Sequence, residues 1–206
     1  MNKSIASILL EIEAVMFKPD QPFTWSSGIL SPIYCDNRLL MSYPNERRVV
    51  INAFSQMIQD TYPEAECLAA TATAGIPHAA WLSEQLQLPM VYVRSGKKKH
   101  GKGNQIEGKL SKGTKVVVIE DLISTGGSAI ETAEVLRDYG AEVSGIAAIF
   151  SYGLPKAKQN SEKHRIKMTT LTAYDELIEA AVSGEYIEAA ELDSLRAWRK
   201  APEKWA

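Results

Sequence analysis

The sequence contains little of what several common classes of protein require. Only two of its 206 residues are cysteines, Cys35 and Cys67, and they lie far apart without CxxC spacing. Neither a disulfide framework nor a cysteine zinc site is indicated, and the composition fits the reducing cytoplasm. The three histidines show no metal-ligand spacing on a helix. No apolar run approaches the roughly 20 residues that span a bilayer, so we expect no membrane partner.

Charge of one sign is also scarce, because 25 acidic residues nearly balance 23 basic ones and the formal net charge is −2. The surface as a whole therefore does not predict binding to nucleic acid. Two nucleotide-binding motifs are missing as well. No lysine follows the glycine pair at 126–127, as a P-loop requires, and no GxGxxG pattern follows a predicted strand.

The distribution of apolar residues predicts an α/β fold. Short runs that favour strands alternate with segments whose apolar residues recur at helical spacing. The strands are predicted at 67–71, 90–93, 115–120, 143–150 and 166–171, and the helices between them at 44–58, 79–86 and 128–139. Such alternation is typical of βαβ units, which build a mostly parallel central sheet flanked by helices. A polar connection is predicted around Pro155, and an amphipathic helix interrupted at Gly184 over residues 173–199.

The start of the chain lies outside this alternation. Apolar residues at helical spacing from Ile5 to Met16 predict an amphipathic helix rather than a signal peptide. Residues 23–36 then predict two short strands around a glycine turn. We expect residues 1–206 to form a single domain, in which residues 1–40 supply this helix and a small hood over the carboxyl edge of the sheet.

The most informative stretch is residues 115–128. The run at 116–119 is β-branched throughout, which is typical of a strand buried on both faces. Glu120 and Asp121 follow where this strand is expected to end, and the turn at 124–128 then precedes a helix. Amides of such a turn and the helix dipole can bind a phosphate, while the carboxylates can bind sugar hydroxyls or a hydrated Mg²⁺. This combination predicts a site for a phosphorylated sugar.

The simpler interpretation of the acid pair is a polar strand end, in which Asp121 begins the next turn. The glycines that follow favour the ligand interpretation. A helix cap needs no two adjacent glycines, whereas Gly126 and Gly127 allow positive φ and let a ligand approach the backbone.

A second unusual segment is the polar stretch at 94–113, for which neither helix nor strand is predicted. It contains six lysines, one arginine, five glycines and a single acidic residue. Long loops without structure of their own are often lids, and glycine freedom with positive charge suits a lid that closes over an anion. A solvated surface loop and a nucleic-acid patch are the alternatives. Among the histidines, only His100 inside this stretch is a candidate catalytic residue.

The stretch at 116–128 resembles the phosphoribosyl-pyrophosphate motif of type I phosphoribosyltransferases. Other segments are similar to those of the orotate phosphoribosyltransferases, and the resemblance covers nearly the whole chain. These segments are Ser27-Gly28, Ser31-Pro32-Ile33-Tyr34, Ala74-Gly75-Ile76-Pro77 and the lid from Tyr92 to Gly101. The resemblance implies the type I phosphoribosyltransferase fold. It also implies transfer of ribose 5-phosphate from phosphoribosyl diphosphate to orotate, giving orotidine 5′-phosphate and diphosphate in pyrimidine biosynthesis.

The resemblance further implies roles for individual residues, with Lys98, His100 and Asp121 as catalytic residues. The residues implied to bind phosphoribosyl diphosphate are Arg94, Lys98, His100, Glu120, Asp121, Leu122, Ile123, Ser124, Thr125, Gly126, Gly127 and Ser128. Orotate would contact Ser124 and the backbone at Tyr34 and Cys35. Mg²⁺ would arrive with the substrate rather than at a metal site of the protein, and a homodimer is implied whose lid acts in the neighbouring subunit.

Departures from the family pattern leave the base-binding contacts open. Some members carry lysines where this chain has Ser26 and Ala74, and an arginine where it reads Ser151-Tyr152-Gly153. The chain therefore either uses backbone amides or takes a different base. A purine phosphoribosyltransferase stays an alternative. So does a donor-sensing regulator, although that would need a second basic surface, and the basic residues of the tail are balanced by acids.

Overall fold

The computed structural model of the chain describes residues 4–19, 21–25, 28–96 and 105–205. Its α-helices are α1 (Ile5–Glu11), α2 (Pro44–Thr61), α3 (Gly75–Leu86), α4 (Gly127–Tyr139), α5 (Pro155–His164), α6 (Tyr174–Ser183) and α7 (Leu192–Lys200). Its strands are β1 (Val15–Phe17), β2 (Phe23–Thr24), β3 (Leu30–Ser31), β4 (Ile33–Cys35), β5 (Cys67–Thr71), β6 (Met90–Val93), β7 (Ile106–Glu107), β8 (Lys115–Ile123), β9 (Glu142–Ser151) and β10 (Met168–Ala173). Short 3₁₀ helices lie at Asn37–Ser42, Ala189–Glu191 and Pro202–Lys204.

Six strands form the central sheet in the order β10-β9-β8-β5-β6-β7. All neighbouring pairs are parallel except β6 with β7, which is antiparallel. The predicted mostly parallel sheet flanked by helices is therefore confirmed. Two small antiparallel pairs, β1 with β4 and β2 with β3, form separate ribbons in the N-terminal part of the chain.

The β8 strand explains why the sheet has a core on both of its faces. Val116, Val117, Val118 and Ile119 are all fully buried. Because successive side chains point to opposite faces, Val117 and Ile119 enter one hydrophobic core and Val116 and Val118 the other. A strand covered on both sides needs such a continuous apolar run.

The structure extends β8 beyond the predicted end of the strand, through the acid pair to Ile123. The pairing of β8 with β5 stops at Ala70 opposite Ile119, whereas its pairing with β9 continues to Ile123 opposite Ser151. The last four residues of β8 thus have a strand neighbour on one side only. This arrangement places the acid pair at the carboxyl edge of the sheet, where open α/β sheets bind ligands.

The N-terminal helix is shorter than predicted. It ends at Glu11, and residues that continue its apolar spacing belong instead to β1. Glu13 lies between them with φ 58°, a left-handed conformation that cannot continue a right-handed helix. Apolar spacing alone could not reveal this break, since neither glycine nor proline occurs there.

Two further predictions were wrong in part. The segment at 155–164, predicted as a polar connection, is α5, which starts with Pro155 in its first turn. The stretch at 94–113, predicted to lack secondary structure, contains β7. The Arg94 amide donates to the Gln105 carbonyl at 3.0 Å, so β6 and β7 form the two arms of a hairpin.

The N-terminal ribbons are fastened to the C-terminal helices by aromatic side chains. Trp198 on α7 is fully buried and donates its Nε1–H to the Leu30 carbonyl at 2.8 Å. Trp25 packs on Tyr152, with ring centroids 4.9 Å apart, and on Trp198 at 5.7 Å. The tail, which is helical on both sides of Gly184 as predicted, therefore holds β2 and β3 near the carboxyl edge of the sheet.

Candidate active site

An open cavity of about 640 Å³ lies at the carboxyl edge of the sheet. Its walls come from the N-terminal ribbons, the end of β8 and the beginning of the loop that follows β9. The described residues that line it are Thr24, Trp25, Ile29, Tyr34, Cys35, Asp36, Arg38, Ala74, Asp121, Leu122, Ser124, Thr125 and Tyr152. The cavity therefore brings together two groups of predicted site residues that are more than 80 positions apart along the chain. One group is Tyr34 and Cys35, and the other lies in the motif at 116–128.

The acid pair is buried, with Glu120 at 5% and Asp121 at 9% exposure. The Asp121 amide donates to Oε1 of Glu120 at 3.1 Å, and the Ser128 hydroxyl donates to Oε2 at 3.2 Å. Burial, followed by the neighbouring charge of Asp121, raises the pKa of Glu120 well above its ordinary value. Burial also raises the pKa of Asp121, while its hydrogen bonding and the charge of Arg38 oppose that rise. Two adjacent buried carboxyls hold a proton between them more readily than two charges.

The turn that was predicted to bind phosphate has positive φ at only one of its two glycines. Gly126 has φ 77° and precedes the first residue of α4. An added Cβ at Gly126 would lie 2.7 Å from Cε of Met168, a flexible side-chain end that can move, so the positive φ is what favours glycine here. Gly127 does not have positive φ, and only the Thr125 hydroxyl would lie near its Cβ, at 3.7 Å. Of the glycine pair, only Gly126 is demanded by backbone conformation.

The first turn of α4 starts without a side-chain cap. Its first amides have no partner within the helix, and the helix dipole gives them a positive field. The turn before them is held in place by α5, because Asn160 donates its side-chain amide to the Thr125 carbonyl at 2.9 Å. This arrangement is a ready site for a phosphate.

The remaining residues of the predicted motif face different surroundings. Leu122, Ser124 and Thr125 line the cavity. Ile123 is 2% exposed and belongs to the core on the opposite face, and its carbonyl accepts the Tyr152 amide at 3.0 Å. Any contribution of Ile123 to binding is therefore confined to its remaining backbone atoms.

A small pocket beside the acid pair receives the start of the predicted lid. Arg94, Ser95 and Ser128 line it together with the end of β5. Nη1 of Arg94 is 3.4 Å from Oε1 of Glu107 on the opposite arm of the hairpin. Arg94 thus lines the same small pocket as Ser128 of the motif. The other two predicted lid residues, Lys98 and His100, lie outside the described residues.

The turn after β5 approaches the acid pair very closely at one glycine. A Cβ added at Gly75 would lie 2.5 Å from the Ile119 carbonyl oxygen. The family segment Ala74–Pro77 therefore needs a glycine at this position to let the backbone of α3 lie against the end of β8. The helix begins at Gly75, earlier than the predicted start at residue 79.

The predicted base-binding residues, Tyr34 and Cys35, line the cavity, but their backbone is already engaged. The Cys35 amide donates to the Tyr152 hydroxyl at 3.1 Å. The Asp36 amide donates to the Ala14 carbonyl at 2.7 Å, and in an antiparallel ladder hydrogen-bonded pairs recur every second residue. Tyr34 lies opposite Met16 in that ladder, so its amide points to β1 rather than to the cavity.

Sequence reasoning missed several residues of this site. Asn37 is fully buried and donates Nδ2 to the Asp121 carbonyl at 2.7 Å, while its Oδ1 accepts from the Cys35 thiol at 3.3 Å. Arg38 lines the cavity and pairs with Asp36. The one local signal was the order Asp-Asn-Arg, since an aspartate readily caps the amide two residues later. That signal predicts a turn and does not predict contact with residue 121.

The acidic residues at the site suit a magnesium ion that brings part of its own shell. Within the described ranges no group of three or more His, Cys, Asp or Glu side chains surrounds a common point. Mg²⁺ commonly binds through one or two carboxylates and completes its shell with water and substrate phosphates. Glu120 and Asp121 could supply the protein's part of such a shell.

Across the described residues, no helix has the length and apolar character needed to cross a bilayer.

Residues 40–186 match the family described as "Phosphoribosyl transferase domain". With the buried acid pair beside an uncapped helix N-terminus, this match defines the class of protein as a phosphoribosyltransferase. Over 205 residues the chain is 58% identical to the orotate phosphoribosyltransferase of Listeria monocytogenes, covering 100% of this chain and 98% of that one. It is 56% identical over 203 residues to the enzyme of the same name from Enterococcus faecalis, covering 98% and 97%.

A solved structure supports the same assignment. The crystal structure of orotate phosphoribosyltransferase from Aeropyrum pernix is similar with a TM-score of 0.76 at 28% identity, covering 85% of this chain and 96% of that one. The chain belongs to the orotate phosphoribosyltransferase family.

Proposed function

We infer that the protein transfers the ribose 5-phosphate group from phosphoribosyl diphosphate to orotate, yielding orotidine 5′-phosphate and diphosphate in the de novo synthesis of pyrimidine nucleotides. The observation that carries this inference is the buried acid pair at the carboxyl edge of the sheet, directly before the uncapped N-terminus of α4. It occurs in a chain that is 58% identical over its full length to an orotate phosphoribosyltransferase. A purine base and a regulatory role are not favoured by these relatives.

The sugar is held by the acid pair. Glu120 and Asp121 accept hydrogen bonds from the ribose hydroxyls, and their buried setting fixes where those hydroxyls lie. Cleavage of the bond from C1′ to pyrophosphate builds positive charge on the sugar, as in glycoside hydrolysis. The negative charge that the acid pair retains near the ring stabilises this oxocarbenium-like charge more strongly in the transition state than in the ground state.

The 5′-phosphate binds to the amides of the turn Thr125–Ser128 and to the first turn of α4. Positive φ at Gly126 is the conformation that lets these amides converge. Binding energy from this remote phosphate contributes to catalysis, because it holds the reacting carbon in place against the base.

The leaving pyrophosphate is bound by cations from the lid. Arg94, Lys98 and His100 supply positive charge where negative charge develops, which is stabilisation specific to the transition state. When bound, Mg²⁺ neutralises part of the charge of the pyrophosphate. Closure of the segment between β6 and β7 over the substrate would also exclude the water that hydrolyses the activated sugar.

The base occupies the cavity beside the sugar. Ser124, together with the segment at Tyr34 and Cys35, contacts the orotate ring. Orotate is an anion with a nucleophilic ring nitrogen, so little general-base catalysis is required of the protein. Apolar walls such as Trp25 and Leu122 suit a flat ring.

We further propose a homodimer in which the lid of one subunit acts in the site of the other. Support comes from a cluster of exposed apolar side chains before and in α2. These are Leu39, Met41, Tyr43 and Val49, which are 37%, 46%, 40% and 47% exposed. Grouped apolar exposure of this kind is typical of a protein–protein interface.

We also propose that residues 1–206 act as one domain, with residues 1–40 as its hood. We propose in addition that the protein works in the cytoplasm, as its two free buried cysteines favour.

The reaction is tested by mixing the protein with phosphoribosyl diphosphate, Mg²⁺ and orotate and following the loss of orotate absorbance. We expect consumption of orotate, and no consumption of adenine, guanine or hypoxanthine in parallel reactions. Use of a purine instead of orotate would overturn the proposed substrate.

The shared lid is tested by mixing two inactive variants, Lys98→Ala and Asp121→Asn, under conditions that exchange subunits. A lid acting in the partner restores one intact site in each hybrid dimer, which is roughly a quarter of wild-type activity for random exchange. No recovery, with exchange demonstrated by differently tagged subunits, would show that each lid serves its own subunit.

A further inference from the structure

The cavity beside the sugar site lacks an obvious partner for the carboxylate of its base. Lysines and an arginine that some family members carry are replaced in this chain by Ser26, Ala74 and Ser151-Tyr152-Gly153. The Cys35 amide, which could have served instead, donates to Tyr152. A carboxylate moved from water into a partly apolar cavity needs a charged or hydrogen-bonding partner, because an unpaired buried charge is costly.

Arg38 is the only cationic side chain among the described residues that line this cavity. It belongs to the 3₁₀ helix Asn37–Ser42, and Asp36 caps the start of that helix by accepting its amide at 3.1 Å. Nε and Nη2 of Arg38 donate to the two carboxylate oxygens of Asp36 at 2.6 and 2.8 Å. The guanidinium is therefore held in a fixed orientation by a residue that also lines the cavity.

The ion pair with Asp36 does not use all the N–H donors of the Arg38 guanidinium. An arginine has five N–H donors, and Asp36 takes two of them, so three remain for another acceptor within the part of the chain described. The Arg38 side chain is 54% exposed, which makes these donors accessible from the cavity. The hydrogen bond with Arg38 lowers the pKa of Asp36 and keeps it ionised. An ionised Asp36 keeps both hydrogen bonds that orient the guanidinium. A planar fork of this kind matches the geometry of a carboxylate.

We propose that Arg38 binds the carboxylate of the orotate ring and gives this enzyme its preference for a carboxylated pyrimidine, with Asp36 as the residue that positions the guanidinium. The proposal rests on the proposed function, since it assigns the substrate's charged group to a residue of that site. It explains how the base is recognised without the cations present in other family members. Recognition of the carboxylate comes from a side chain of the hood, whereas Ser124 directly after the end of β8 contacts the ring.

The test compares Arg38→Gln with a matched control, Arg196→Gln. Arg196 is also a partly exposed arginine with one carboxylate partner, Glu179, at 3.5 Å, and it does not line the cavity. Loss of a charge-assisted hydrogen bond is worth roughly 1.5–3 kcal/mol, so we expect the KM for orotate to rise about 10- to 150-fold in Arg38→Gln. The KM for phosphoribosyl diphosphate should change less than about threefold, and Arg196→Gln should resemble the wild type.

Uracil, which lacks the carboxylate, separates recognition of charge from recognition of the ring. We expect inhibition of the wild type by uracil to be weak, and Arg38→Gln to leave its inhibition constant unchanged. Arg38→Lys keeps the charge but loses the fork and should give an intermediate KM for orotate. It also serves as the second variant if Arg38→Gln is found by circular dichroism not to fold.

Several outcomes would overturn the proposal. An unchanged orotate KM in folded Arg38→Gln would remove Arg38 from recognition of the base. A rise confined to the KM for phosphoribosyl diphosphate would assign Arg38 to the donor instead. A wild-type protein that consumes no orotate would refute the proposed function itself, a result that is distinct from either of these.

Discussion

Asn37 donates its side-chain amide to the backbone carbonyl of Asp121 at 2.7 Å. This contact joins the segment before α2 directly to the carboxyl end of β8. The carbonyl it satisfies lies beyond the last pairing of β8 with β5, so no strand neighbour on that side is available to bond it. This segment therefore completes the sheet edge at the acid pair, where we propose that the sugar binds.

Replacement of Asn37 by alanine should destabilise the protein and weaken donor binding together. The change leaves a buried carbonyl without its donor, which costs about 1–3 kcal/mol, equivalent to a fall in melting temperature of several degrees. Thermal unfolding and the KM for phosphoribosyl diphosphate provide the two measurements. Asn52→Ala is the matched control, because Asn52 is exposed and its side-chain oxygen accepts a hydrogen bond from Gln85 at 3.0 Å. Normal stability and a normal KM in Asn37→Ala would show that the contact is dispensable.

The acid pair should reduce stability as the pH rises. Burial and the charge of Asp121 raise the pKa of Glu120 in the folded protein. Between its ordinary and its raised pKa, the folded protein holds a proton that the unfolded chain has released, so the free energy of unfolding falls with increasing pH. Glu120→Gln should therefore have a higher melting temperature than the wild type at pH 8, with a smaller difference at pH 5, although its activity is lost.

Glu84→Gln serves as a control for this pH effect, because Glu84 is exposed on α3. Its melting temperature should follow that of the wild type at both pH values. A Glu120→Gln protein that is less stable than the wild type at pH 8 would indicate that the carboxylate is held charged in the absence of substrate, against the account given for the pair.

His78 should make the protein sensitive to acid. Its side chain is fully buried against Trp81, and neither ring nitrogen has a hydrogen-bond partner among the described residues. Burial lowers its pKa to about 4. As the pH falls from about 6.5 towards 4, the unfolded chain gains a proton that the folded protein does not, so stability is lost by up to about 1.4 kcal/mol per pH unit.

The substitution His78→Leu removes this titration and should flatten the decline in melting temperature between pH 6.5 and pH 4. His164→Gln is the matched control, since His164 is partly exposed beside Glu134, and it should retain most of the decline. An identical acid sensitivity in His78→Leu and the wild type would mean that other groups control unfolding in this range.

The lid should act on the chemical step. Lys98→Ala removes one donor from the developing charge on the pyrophosphate and should lower kcat roughly 10²- to 10³-fold. Lys109→Ala, which changes an exposed lysine in the same segment, should leave kcat close to that of the wild type. An unchanged kcat in Lys98→Ala would exclude Lys98 from the mechanism.

The fold was predictable where the sequence contains uninterrupted patterns. The β-branched run at 116–119 identified β8, and the glycine turn at its end identified the N-terminus of α4. Helix α5 was missed because its sequence is largely polar and only Ala157 is buried, which leaves no apolar periodicity to detect. Asn37 was missed because the residue it contacts is far away along the chain. Asn37 and Asp121 are 84 positions apart, and no local pattern records such a contact.

The central claim is that the amides before α4 bind the 5′-phosphate while Glu120 and Asp121 bind the ribose hydroxyls. A crystal structure of the protein with bound phosphoribosyl diphosphate and Mg²⁺ tests it most directly. The account predicts phosphate density within hydrogen-bond distance of the Gly126–Ser128 amides, with both ribose hydroxyls at the acid pair. Donor density bound at any other place, with this turn empty, would contradict it.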